Sequence, residues 1–376
     1  MNANNAPLTI YLNGGPGSSS MVGLFQEAGP CEIVEIAAGK LGSRAREWGW
    51  DRSSNILFVD QPNQVGFSYD TLTNGSLDLL TSEIWAPPVV KPDGRSSTTF
   101  LNGTFSSGNT YSTANTSQIA AYAVWHMLQG FLNTFPQYGA SNITNSTQSA
   151  MGVNLFAESY GGKYGPIFAS TFENQNQARK TGDLPANTIP INLVSLGIIQ
   201  GCVDDLVQGR YYPIFAYNNT YGIQAYNLLQ QSTVANNYLA VDGCQARILA
   251  CRNAVAAQDP QNGGAVDSVN QVCQGAVETC NYDVIGPYQK SGRSVYDITQ
   301  NLPDSFPGSW YLEYLNSADV QSGIGAAVNY TESNQNVATA FLATGDNDRG
   351  SQISDMAYLL SLGVRVALIY GDRDYM

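Results

Sequence analysis

Residues Leu155-Phe156-Ala157-Glu158-Ser159-Tyr160-Gly161-Gly162 run from a short apolar stretch into a small-x-Ser-x-Gly turn, and a helical segment follows from Tyr164. A serine raised on a sharp strand-to-helix corner needs small neighbours on both sides, because the turn leaves no room for larger side chains beside the protruding hydroxyl. Ala157 stands where a first glycine is usual. Alone, such a corner also serves plain packing, so its meaning rests on its surroundings.

Outward from that corner, short apolar runs recur at Leu8–Leu12, Asn55–Asp60, Val153–Ala157, Ile191–Ile199 and Val364–Tyr370. Nearly continuous apolar character over so few residues predicts strands buried on both faces. Between them lies a helical pattern with Val124, Leu128, Phe131, Leu132 and Phe135 on one stripe, ending at Pro136. Strands alternating with helices predict a mainly parallel α/β sheet. Residues 71–117, rich in Ser, Thr, Asn, Gly and Pro, read as a surface excursion within the core. Residues 203–303 carry four Cys and a patchy helical pattern without a strand, and read as an insertion capping the sheet.

The chain of 376 residues is 43% hydrophobic and 12% charged, enough apolar residues for a sizeable core. Its net charge of -13 repels phosphate backbones and anionic headgroups, which argues against nucleic acid and membrane partners. No apolar run reaches the ~20 residues that span a bilayer. Asn-x-Ser/Thr acceptors occur at Asn74, Asn102, Asn115, Asn142, Asn145, Asn218 and Asn329. With an even number of Cys they favour a secretory route, although the first residues have no signal-peptide pattern.

A second glycine-rich stretch, residues 12–20 (LNGGPGSSS), directly follows the first strand. Such a turn can aim a backbone N–H at the corner serine, and an oxyanion hole needs two donors. A phosphate loop would require Lys-Ser or Lys-Thr after the glycines, and neither follows. These residues, with 23–30 (GLFQEAGP), 50–69 (WDRSSNILFVDQPNQVGFSY), 158–164 (ESYGGKY) and 371–375 (GDRDY), resemble in order and spacing the signature blocks of the serine carboxypeptidases. The variant at residues 61–66 (QPNQVG) is closest to secreted fungal members.

The resemblance implies an α/β-hydrolase core over residues 1–202 and 304–376, the cap at 203–303, and a serine-type carboxypeptidase acting on peptides with a free C-terminal carboxylate at acidic pH. It implies no cofactor or metal, and a secreted or vacuolar location. Ser159 would be the nucleophile, Gly15 and Tyr160 the oxyanion donors, and Asp374, rather than Asp372, the acid that orients a histidine. Asn13, Gly14, Glu27 and Glu158 would hold the substrate carboxylate, with Tyr11 at a position where the family usually has Trp. Two glutamates can receive a carboxylate only if they share a proton, so that one oxygen donates.

One departure matters most. The sole histidine is His126, nearly opposite the apolar stripe of its helix, so it predicts an outward-facing residue and no general base. The family's histidine follows the acid, whereas this sequence stops two residues after Asp374. The expectation is a chain truncated at both ends, with little or no hydrolysis of its own. An acyltransferase on the same scaffold, or a non-catalytic binding protein, is the alternative. Fifteen pairings of six Cys are possible, and the resemblance implies Cys244–Cys280 and Cys251–Cys273 in the cap. The remaining Cys31 and Cys202 would close a loop of about 170 residues, worth on the order of 5 kcal/mol if unstrained.

Overall fold

The computed structural model describes residues 6–81, 83–96, 99–138, 152–303 and 308–376. Its strands are β1 (Leu8–Leu12), β2 (Cys31–Ala37), β3 (Lys40–Ala45), β4 (Asn55–Phe58), β5 (Thr73–Asp78), β6 (Glu83–Trp85), β7 (Phe100–Phe105), β8 (Val153–Glu158), β9 (Leu193–Ile199) and β10 (Arg365–Ile369). The main sheet has the order β10-β9-β8-β1-β4, and every pairing in it is parallel. Each of its strands coincides within a few residues with an apolar run read from sequence; β1 is buried throughout, as expected, but β10, at the sheet edge, is largely exposed and corrects the expectation of burial on both faces for its run.

The chain leaves β1 for β4 on one side and returns in β8 on the other. Strand order therefore reverses at β1, and a crevice opens beyond the carboxyl ends of β1 and β8, where parallel α/β sheets bind ligands. Asn13 and Ser159, the residues after those two strands, both lie there.

Helix α1 (Ser117–Thr134) starts at Thr116, whose hydroxyl accepts from the Ile119 N–H at 3.2 Å. It lies on α2 (Gly161–Thr181), the helix that Ser159 introduces. Val124, Leu128 and Leu132 enter one core with Ile10, Leu155, Ile198 and Phe168. The predicted stripe fails at its end, since Phe135 is 44% exposed and Phe131 only partly buried, while Trp125 is buried instead. Phe135 is the C-cap beyond the last residue of α1, just before Pro136, and its ring meets Phe131 at 5.2 Å. His126 is exposed, as its position predicted, and its ring meets only the edge of Trp125 among aromatic side chains.

Between β4 and α1 the sequence reading found no strands, yet β6-β5-β7 form an antiparallel sheet inside residues 71–117. A β2–β3 hairpin was likewise unseen. Both carry polar residues, exposed on most of the strands and buried on β5 at Ser76 and Asp78, so neither the continuous apolar run nor a clean alternation marks them.

After β9 come α3 (Asp205–Gln208), α4 (Tyr212–Tyr217), α5 (Leu228–Leu239), α6 (Cys244–Gln258) and α7 (Asp267–Cys280), then α8 (Trp310–Leu315), α9 (Ala318–Ile324), α10 (Gln335–Thr344) and α11 (Gln352–Ser361). Cys244 and Cys251 sit two turns apart on α6, and Cys273 and Cys280 two turns apart on α7, so each pair shares a face. The bridges Cys244–Cys280 and Cys251–Cys273 staple these helices in antiparallel order.

The third bridge expected from sequence is absent: Cys31 and Cys202 are both free thiols. Cys31 opens the exposed hairpin beside Arg46 and Asp51, whereas Cys202 stands next to the Ser159 corner beside Lys163 and Asp205 and lines the same cavity as Ser159. Pairing by elimination ignored that separation. Burial pushes the Cys202 thiol up to about 12 and raises Cys31 as well. Titration with an aromatic disulfide reagent is expected to find two thiols per chain in denaturant and, in the folded protein at neutral pH, slow reaction at Cys31 and slower still at Cys202, whose thiol is raised further. No thiols in denaturant would restore the third bridge.

Among the acceptor sites, Asn74, Asn102 and Asn218 are exposed and Asn115 is half-buried. Asn329 accepts from the Thr104 N–H at 3.0 Å and donates to Asn316 at 3.2 Å, so its amide is already engaged. Asn142 and Asn145 lie outside the described residues. No helix among the described residues is long and apolar enough to cross a membrane.

Candidate active site

Ser159 has a φ of +59°, a left-handed conformation that costs a non-glycine residue roughly 1–2 kcal/mol. Neighbouring backbone holds it there: its N–H donates to Ile199 at 3.0 Å, and its carbonyl accepts from Gly162 at 2.9 Å and Cys202 at 3.0 Å. A Cβ on Gly162 would fall 2.6 Å from the Cys202 backbone, and one on Gly161 would fall 2.8 Å from the Ala157 methyl. Those contacts explain why the corner tolerates alanine but nothing larger at 157.

The glycine-rich turn meets the corner backbone to backbone. A Cβ on Gly14 would sit 2.3 Å from the Tyr160 nitrogen and 2.6 Å from the Glu158 oxygen. Gly15, with φ +104°, lines one cavity of about 280 Å³ together with Ser159 and Tyr160. The turn is fixed from behind by Asp60, which accepts from the Ser19 hydroxyl at 2.6 Å, the Ser20 N–H at 2.9 Å and the Phe67 N–H at 2.9 Å. Sequence reasoning missed Asp60 as a support, although it closes the predicted strand at 55–60.

Beside Ser159 lies a group of acids. The Tyr11 hydroxyl is 2.6 Å from Glu27 Oε2 and 2.7 Å from Glu158 Oε2, and Asn13 Nδ2 donates to the same Glu158 oxygen at 2.9 Å. Asn13 Oδ1 in turn accepts from the Gly23 N–H at 3.0 Å, which fixes the amide orientation. A phenol has one proton and can donate to only one of two carboxylates; the other short contact requires a proton on the carboxyl. Burial, together with the hydrogen bond and charge of Glu27, pushes Glu158 up to about 9. The same burial and the two carboxylates raise the Tyr11 phenol far above its usual range, so it stays a donor. Tyr11, Asn13, Glu27 and Glu158 thus converge, with Gly14 in the backbone between them and the corner.

Asp374 follows β10 and is pushed up to about 6 by burial. It accepts from the Met376 N–H at 2.7 Å and from Gln200 Nε2. Gln200, itself at φ +46°, also accepts from the Gly371 N–H, so it ties the loop after β9 to the loop after β10. No motif marked Gln200 in the sequence. Asp372 is exposed. Met376, two residues past Asp374, lines the same cavity as Ser159. His126 lies on the exposed face of α1 and is not among the residues that line this cavity. Among the described residues no three His, Cys, Asp or Glu cluster as metal ligands.

A family model described as serine carboxypeptidase matches residues 1–376. The chain belongs to the serine carboxypeptidase family. Carboxypeptidase S1 homolog A and homolog B of Arthroderma otae are 40% and 42% identical to it over 377 and 375 residues, covering 99% of this chain and 56% of each relative. Carboxypeptidase S1 of Penicillium janthinellum is 32% identical over 377 residues, which is 72% of its length. The chain thus spans little more than half the length of the Arthroderma serine carboxypeptidases it matches. The crystal structure of Kex1(delta)p, a prohormone-processing carboxypeptidase from Saccharomyces cerevisiae, superposes with a TM-score of 0.59 at 20% identity, covering 99% of this chain and 66% of that one. That likeness speaks to the fold, which is the α/β-hydrolase fold predicted from sequence.

Proposed function

We propose that this site binds the C-terminal end of a peptide and belongs to a serine-type carboxypeptidase of the secretory or vacuolar route. One observation carries the reading: two glutamates and a tyrosine that must hold a shared proton stand one residue from a strained serine in a cavity. A protonated acid pair has little structural use at a cleft, but it gives a carboxylate ligand the donor it needs. Glu158, Glu27, Tyr11, Asn13 and the Gly14 backbone would hold the terminal carboxylate, which sets the last peptide bond over Ser159. The Ser159 oxygen would form the bond to the carbonyl carbon as its proton passes to a base, with Gly15 and Tyr160 N–H groups receiving the oxyanion; the C–N bond then breaks and the last residue leaves as an amine. Asp374, held by Gln200, would orient that base. Residues 1–202 and 304–376 serve as the core and 203–303 as the cap over the cleft.

The chain as it stands brings no imidazole to Ser159, so we expect it to bind peptides without turning them over. Binding therefore tests the reading. An N-acetylated peptide with a free C-terminal carboxylate is expected to bind at least tenfold more tightly at pH 5.5 than the same peptide amidated. Tyr11→Phe removes the hydrogen bond that links both acids; bonds to charged groups contribute about 1.5–3 kcal/mol, so the free acid should lose at least tenfold while the amide is unchanged. Equal affinity of acid and amide for the unmodified chain would reject a carboxylate site.

A further inference from the structure

The turn between α10 and α11, residues 345–350 (GDNDRG), touches the core on one side and the α6–α7 hairpin on the other. On the core side Asp346, buried, accepts from the Ser117 N–H at 2.8 Å, the Ser117 hydroxyl at 2.6 Å and the Tyr160 hydroxyl at 2.7 Å. On the hairpin side a Cβ on Gly345 would fall 2.2 Å from the Cys273 carbonyl carbon, so the turn lies directly on the α7 backbone. Arg349, also buried, reaches the loop that joins α6 and α7, donating to Asp259 at 2.8 Å and Asn262 at 3.0 Å, and to Asn270 of α7. One cation meets one carboxylate there, and the charges match.

At Asp348 they do not. Asp348 and Lys163 are both 0% exposed, and Asp348 Oδ2 has no hydrogen-bond partner. The charged groups that face Asp348 are Asp205 of α3, Lys163 of α2 and Arg252 of α6. Lys163 lies 3.9 Å from Asp205 and donates to the Val203 carbonyl at 3.2 Å. Arg252 directs both terminal nitrogens to Asp204, at 2.6 and 3.2 Å, and reaches only the backbone carbonyl of Asp348, at 3.3 Å. Asn347 donates to Asp205 and, at 3.4 Å, to Asp348. Two cations therefore face three carboxyls, and Asp348 is the one without a cation of its own. Buried carboxyls so placed resist ionising together. Burial and the charge of Asp205 push Asp348 up to about 8. The neighbouring Tyr160, Tyr212 and Cys202 are all raised by burial and stay neutral below that pH.

We propose that this turn is a proton-dependent latch: it holds α3 and the α6–α7 hairpin closed on the core while Asp348 carries a proton, and lets them part as Asp348 ionises. Of the reading above it uses only the cap, to which these helices belong, and not the carboxylate site. Opening brings Asp348 into water, where an aspartate keeps its proton only below about 3.9. Closed, it keeps the proton up to about 8. Between those values each opening releases a proton, so the latch is tightest below about 3.9 and weakens as pH rises towards 8.

Hydrogen exchange, followed segment by segment between about pH 5.5 and 7.5 and corrected for intrinsic rates, tests the latch. Amides of α6 and α7 should exchange through an opening that leaves β8 and β9 protected, and that opening should become about tenfold more frequent with each pH unit. Asp348→Asn, which cannot ionise, should keep the opening constant over the same range. Asp205→Asn leaves Lys163 to Asp348 alone, so the rise should level off at a lower pH. A rise that is the same in Asp348→Asn and the unmodified chain overturns the latch, and so does exchange of α6 and α7 only in step with β8 and β9. If Asp348→Asn does not fold, an unaltered rise in Asp205→Asn overturns it. Failure of free-acid peptides to outbind their amides would strike the carboxylate site and leave the exchange result standing.

Discussion

Affinity for a peptide with a free C-terminal carboxylate is expected to stay level from about pH 5 to pH 8 and then to fall by roughly tenfold for each unit above about 9, while the amidated peptide shows no such fall. The physical reason is the proton shared among Glu27, Glu158 and Tyr11. While the pair keeps it, a ligand carboxylate finds a donor; once Glu158 ionises, three negative oxygens of like charge face each other. The residues alone placed this fall between acid and neutral pH. Burial of Glu158 and the nearby Glu27 move its midpoint up to about 9.

The same shift has a consequence for folding, opposite in sign to that of an ion-paired carboxylate. Because the folded value of Glu158 is raised above its ordinary 4.5, the folded state binds the proton more tightly than the unfolded state between 4.5 and about 9. Its contribution to stability is therefore most favourable below 4.5 and declines as pH rises through that window. Glu158→Gln, which cannot ionise, should gain stability relative to the unmodified chain at pH 8 compared with pH 5. Isothermal titration across the pH range, with urea unfolding at the two pH values, checks both. A binding curve of the same shape for acid and amide would remove the proton-sharing argument.

Gly14→Ala is expected to cost about 3 kcal/mol or more of folding stability. The added methyl would lie 2.3 Å from the Tyr160 nitrogen and 2.6 Å from the Glu158 oxygen, both backbone atoms that no rotamer change can move aside. Relief requires the turn after β1 to part from the corner after β8, which would also separate Asn13 from Glu158. Gly130→Ala is the control. It lies within α1 with nothing inside 4 Å of its added methyl, and should be neutral or stabilising by up to about 1 kcal/mol. Urea midpoints of the two variants separate the cases; equal midpoints would mean that the turn is free to yield.

What could be read without coordinates follows from burial. The five parallel strands were visible because each is a short, nearly continuous apolar run, although β10 at the sheet edge is largely exposed, and α1 was visible because Val124, Leu128 and Leu132 repeat at the helix period. Phe135, the last residue of the predicted stripe, escaped the rule because α1 ends at Thr134 and Phe135 is its C-cap. Strands β2, β3, β6 and β7 were invisible because their residues are mixed and their surfaces half open, and β5 because it buries polar residues such as Ser76 and Asp78.

The catalytic-looking residues divide in the same way. Ser159, Gly14 and Gly15 announce themselves, because steric limits of a tight corner and a backbone contact restrict which residue types can stand there, whereas Glu27 and Glu158 were singled out only by the resemblance to the family. Asp60, Gln200 and Asp348 carry no such local restriction. Asp60 and Gln200 act by reaching across from other loops, and Asp348 gains its meaning from Lys163 and Asp205, far away in the chain. The elimination that joined Cys31 to Cys202 failed for a related reason, since counting thiols says nothing of where each one lies. Composition and spacing thus determined the sheet and the corner, and the resemblance of five sequence blocks pointed to the family. Which acids share protons, which charge stands surplus and which thiols stay apart were decided only when the folded chain brought distant segments within hydrogen-bonding reach, because those energies depend on separation in space and not on separation in sequence.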